Sequence, residues 1–77
     1  MFHDKESIYP IPASNEFKII KPENLLIKQL SIYNVNGQKI LEIPYSDTIK
    51  ISTFTKGKYI IRFDNVEEYI YKTLVVK

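Results

Sequence analysis

Apolar residues recur at every second position through most of this chain, in short runs broken by turn residues. That period belongs to strands with one buried face, and no stretch at helical spacing is long enough to compete with it. Ser7-Ile8-Tyr9 predicts a short extended segment that stops at Pro10, because Pro10 and Pro12 lack backbone donors and hold the residues before them extended. Glu16 to Ile20 predicts a second strand, closed by the turn-forming Lys21-Pro22-Glu23-Asn24. Leu26 to Asn34 predicts a third, with Leu30 and Ile32 on one face and Gln29, Ser31 and Tyr33 on the other. Gln38 to Ile43 predicts its partner, ended by Pro44. Between the two, Asn36-Gly37 predicts a two-residue type I′ hairpin in which both residues take positive φ.

The pattern continues to the end of the chain. Thr48 to Ser52 predicts a short fifth strand after the turn-prone Tyr45-Ser46-Asp47, and Thr53 to Lys56 leads into Gly57, where a turn through positive φ suits glycine. Lys58 to Phe63 alternates cleanly, with Tyr59, Ile61 and Phe63 on one face. After a turn opened by Asp64-Asn65, Tyr69 to Val76 sets Ile70, Leu74 and Val76 against Tyr69, Tyr71, Thr73 and Val75, apolar on both sides. About seven short antiparallel strands without a helix predict an all-β fold, a small immunoglobulin-like β-sandwich.

Composition narrows the function more than the fold. In 77 residues, 44% of them hydrophobic and 13% aromatic, there is room for one domain with a modest core. Eleven Lys and Arg against nine Asp and Glu give a net charge of +2 with no basic block, too weak a footprint for nucleic acid. The tyrosines Tyr33, Tyr59, Tyr69 and Tyr71 with Lys58, Arg62 and Lys72 are the residues such a platform would use, but half-buried tyrosines with a wet hydroxyl are ordinary in β domains. Without cysteine the chain forms no disulfide and no thiolate metal site, and neither a cofactor nor a metal is expected. Its single histidine, His3, has no evident acid, base or ligand partner. Glu67-Glu68 reads as surface charge, and Asp47, Asp64 and Asn65 as turn residues bonding their own backbone. No catalytic residue is expected. Met1 to Ile20 lacks the apolar core of a signal peptide, and no run is long enough to span a bilayer as a helix.

Four segments, each with an ordinary strand or turn reading of its own, gain meaning together: Tyr9-Pro10-Ile11-Pro12-Ala13-Ser14, Ile32 to Ile40 with Asn36-Gly37, Gly57-Lys58-Tyr59, and Lys72-Thr73-Leu74-Val75-Val76-Lys77. In this order and spacing they resemble the C-terminal sorting domain, type A, of cargo for the type IX (Por) secretion system of Bacteroidetes. Ile11 stands where that family usually carries asparagine. The resemblance implies a sandwich fold and an address label that is not an enzyme. It also implies residues 1–6 as a linker remnant, residues 7–77 as the sorting domain, and a cargo and signal peptide upstream in a longer precursor. The partners implied are the outer-membrane translocon and a sortase-like protease, on a route through the periplasm to the cell surface or the medium. The recognition set expected from the resemblance is Gly57, Tyr59, Lys72, Val75, Val76 and Lys77, with Tyr9, Pro10, Pro12, Ala13, Asn36 and Gly37 architectural. A stand-alone immunoglobulin-like binding or adhesion module is the competing expectation, since fold alone does not settle function.

Overall fold

The computed structural model describes residues 7–77; the His3 reading and the linker assigned to residues 1–6 lie outside the described residues. Seven strands follow in chain order: β1 (Ser7–Tyr9), β2 (Glu16–Ile20), β3 (Ile27–Asn34), β4 (Lys39–Pro44), β5 (Thr48–Lys50), β6 (Gly57–Asn65) and β7 (Tyr69–Val76). They pair antiparallel in two sheets, one ordered β1-β2-β5 and the other β4-β3-β6-β7. This is the expected sandwich, with the fourth strand paired to the third and the fifth returning to the opposite sheet. Such crossing places the inner faces of both sheets against one core.

The core follows from the alternation. Phe17, Ile19 and Ile49 point inward from the first sheet; Leu30, Ile32, Ile61, Phe63 and Leu74 meet them from the second, with Ile51 just beyond β5. Each fully buried aliphatic or phenyl side chain contributes about 1.5–3 kcal/mol relative to exposure, so a small number of positions carries most of the stability. Ser31 is fully buried too, and its hydroxyl finds no partner.

Strand ends moved where tertiary pairing extended or cut them. β6 runs through Asp64 and Asn65 because Ile27 and Gln29 pair with them across β3. β5 stops at Lys50 because the chain turns at once, Phe54 N donating to the Ile51 carbonyl at 2.9 Å. Pro44 ends β4 as a member of the strand, tolerated at a sheet edge.

The β3–β4 hairpin departs from the type I′ expectation. Gly37 has φ +83°, but no non-glycine described residue has positive φ, so Asn36 does not take the left-handed conformation that turn requires. The reason is Asn34. Its side-chain oxygen accepts from Asn36 N at 2.9 Å and Gln38 N at 3.0 Å, while Gly37 N donates to the Asn34 carbonyl at 3.0 Å. The result is a three-residue loop ending on a left-handed glycine, followed by a bulge where Ile32 pairs with Leu41 but Tyr33 with Lys39.

Two other turn assignments change. Asn65 does bond its own turn, accepting from Glu67 N at 3.0 Å. Asp64 instead lies in β6 and accepts from Arg62 Nε at 2.9 Å and Gln29 Nε2 at 3.1 Å. The Asp47 carboxylate accepts from the Tyr45 hydroxyl at 2.6 Å. Burial, that hydrogen bond and the charge of Asp47, in that order, hold the Tyr45 phenol protonated well above the ordinary tyrosine range. A phenol whose folded pKa is raised contributes stability in full below its unfolded value of about 10, and the contribution is lost as pH rises beyond it. Between about pH 10 and 12 the wild-type melting temperature is therefore expected to fall more steeply than that of Tyr45→Phe. Parallel curves for the two proteins would remove the Tyr45–Asp47 bond as the cause.

Candidate functional site

The first and last of the distinctive segments, far apart in the chain, meet in space. After β1 the chain leaves the first sheet through Pro10 and Pro12, both preceded by cis peptide bonds, and crosses to the second. There Ala13 forms a parallel bridge to Val76 on β7. Ala13 N donates to the Val75 carbonyl at 2.8 Å, and Lys77 N donates to the Ala13 carbonyl at 2.7 Å. Ala13 is fully buried. A larger side chain there would have to displace close-packed core, which explains a small residue after the prolines. Ile11, the residue between the prolines, remains partly exposed.

Gly57 opens β6 directly opposite Val76, with Lys58 opposite Val75 and Tyr59 opposite Leu74. Its φ of +146° is a backbone conformation that L side chains rarely adopt, and no atom lies within 4 Å of where a Cβ would stand. Backbone geometry, not crowding, selects glycine. Two residues on, Tyr59 is buried at 6% exposure, its hydroxyl donating to the Thr55 carbonyl at 2.6 Å. The Phe54 ring packs on Tyr59 at 5.1 Å between centroids. The Gly-x-Tyr element thus pins the β5–β6 loop to the core beside the chain's last residues.

The predicted recognition residues therefore share one corner but not one surface. Tyr59 and Val76 face the core; Lys77 and Gly57 are exposed; Lys72 and Val75 are half-buried on opposite sides of β7. Of the architectural residues, Tyr9, Pro10 and Pro12 lie exposed around the crossing, while Asn36 and Gly37 form the hairpin tip. The tyrosine and lysine platform considered for nucleic acid is divided in the same way. Tyr59 and Lys72 point to the inner side, whereas Tyr33, Arg62, Tyr69 and Tyr71 belong to the outer face of the second sheet.

That outer face carries a feature that residue patterns did not reveal. The Arg62 guanidinium lies 4.3 Å from the Tyr69 ring centroid and 5.7 Å from that of Tyr33, held by the Asp64 carboxylate. From Asp64 a chain of bonds continues through Gln29 and Glu42 to Lys39 across the sheet. Cross-strand registry assembles it: Gln29 faces Asp64, and Arg62 faces Tyr71. No local sequence pattern encodes that registry. Among the described residues no group of three or more metal-ligating side chains occurs, and no helix is long and apolar enough to cross a membrane.

What the corner offers chemically is a strand end, backbone groups and ammonium charges. Residues 7–77 match a family described as secretion system C-terminal sorting domain. No curated protein matches the chain.

Proposed function

From the premise that this chain belongs to the secretion system C-terminal sorting domain family, and so carries a type IX sorting signal, we propose that it is the export address of a cargo protein joined upstream in the same precursor. The folded domain is recognised by the outer-membrane translocon, the cargo crosses to the cell surface or the medium, and a sortase-like protease then removes the domain. It catalyses none of these steps. Its contribution is to be bound.

The observation that carries this reading is the union of the Pro-x-Pro-Ala-Ser segment with the chain's last residues through Ala13, Val75 and Lys77. A signal assembled this way is legible only in the folded domain, so folding and display of the address are one event. Within the recognition set, Lys72, Val75, Lys77 and Gly57 are the residues we assign to direct contact. Tyr59 and Val76 act by holding the corner together, since buried side chains present little to a partner.

The test is a fusion of this chain to the C-terminus of a signal-peptide-bearing fluorescent protein, expressed in a Bacteroidetes host and in a translocon-deficient strain. Fluorescence outside the cell in the first strain alone is the expected result. Equal periplasmic retention in both would replace this reading with that of an adhesion module.

A further inference from the structure

A sandwich exposes four edge strands, and three of these carry features that oppose further pairing. β1 has three residues and runs into Pro10 and Pro12; β5 also has three. β4 is bulged against β3, ends on Pro44 and bears the Lys39–Glu42 ion pair at 3.2 Å. β7 differs. Its eight residues contain neither proline nor bulge.

Ala13 covers only the end of this edge. Because the Val75 carbonyl and Lys77 N–H reach outward to Ala13, and backbone groups alternate along a strand, those of Tyr71 and Thr73 point outward as well. Among the described residues no backbone group meets them there. The side chains beside this open stretch are Tyr69 and Tyr71, 57% and 59% exposed. Lys72, the only charge in the strand, lies on the core-facing side at the rim, half-buried. An inward charge on an edge strand disfavours pairing with another copy of itself.

We infer that Tyr69–Thr73 is a docking edge that accepts an extended segment of the recognising protein as an added strand, with apolar side chains against Tyr69 and Tyr71. The inference rests on the sorting-domain reading and gives it a partner chemistry. Main-chain bonds supply the attachment; the two tyrosines supply the selection, and the inward Lys72 opposes a second copy of the same strand. Ala13 sets the limit of the docked strand, because beyond Thr73 the edge is already taken.

The decisive variant is Thr73→Pro in the fluorescent fusion. The Thr73 N–H faces outward, so the proline removes a donor from the edge while the β6–β7 ladder keeps its bonds. Export is expected to fall about tenfold, with the melting temperature of the isolated domain close to that of wild type. In parallel, a photo-crosslinking residue at Thr73 is expected to capture a translocon component, and the same residue at Lys50 on β5 is not. This second measurement decides the matter if Thr73→Pro disturbs the fold. Export of a folded Thr73→Pro fusion at the wild-type level, crosslinking from Lys50 but not Thr73, or crosslinking only to a second copy of the chain would each overturn the docking edge. Retention of the wild-type fusion in both strains would instead overturn the reading beneath it.

Discussion

Phe63→Ala is expected to lower the domain's urea midpoint by roughly half. Phe63 is fully buried in β6, opposite Leu30 on β3 and Ile70 on β7, and so lies where both neighbouring strands meet the core. Truncating a buried phenylalanine to alanine costs about 3–5 kcal/mol, the transfer term plus the cavity left behind. A chain of 77 residues has a total stability of about 4–12 kcal/mol at about 0.05–0.15 kcal/mol per residue. One side chain thus carries roughly half of the stability at the centre of that range. Ile60→Ala, on the same strand but the opposite face, is the control and should cost less than about 1 kcal/mol. Urea denaturation followed by circular dichroism reads both; coincident curves for wild type and Phe63→Ala would remove Phe63 from the core.

Removal of Lys72 to Lys77 from the cargo fusion is expected to abolish export. The deletion takes away the buried Leu74 and Val76, the partners of Ala13, and both lysines at once. It therefore destroys the fold along with the signal. The informative companion is the double charge reversal Lys72→Glu with Lys77→Glu, which leaves every fully buried residue in place. That variant should melt near the wild-type temperature and lose most of its export. Normal export of the deletion would show that the address lies elsewhere in the precursor. A folded, normally exported charge reversal would confine the role of the two lysines to solubility.

These experiments separate two kinds of information carried by the same strand. Ile70, Leu74 and Val76 speak to the core, and Tyr69, Tyr71 and Thr73 to the outside. Fold and address are then not independent, since the buried Ala13, Tyr59 and Val76 sit in the same corner as the exposed Gly57 and Lys77. Gly57 supplies a backbone conformation, Tyr59 ties down a loop, and Ala13 closes the strand edge.

Much of this architecture was legible in the residues. The all-β class, the number of strands, the inward faces of β3 and β6, and the sorting-domain family itself follow from alternation, turn residues and four short segments in order, whereas β7, apolar on both sides in sequence, has its inward face set by the structure. Alternation is a local property of the pleated backbone, so it survives in any tertiary context that buries one face. The hairpin conformation did not follow, because the Asn34 side chain, outside the Asn36-Gly37 pair, selected a three-residue loop. Strand boundaries shifted where a neighbouring strand supplied partners, as at Asp64, or where the chain turned at once, as after Lys50. Which strands stand at the edges, how Arg62 comes to lie between Tyr33 and Tyr69, and that Ala13 caps β7 were decided by tertiary structure alone. Each joins residues distant in the chain, whose pairing is set by sheet order and cross-strand registry and leaves no periodic trace in sequence.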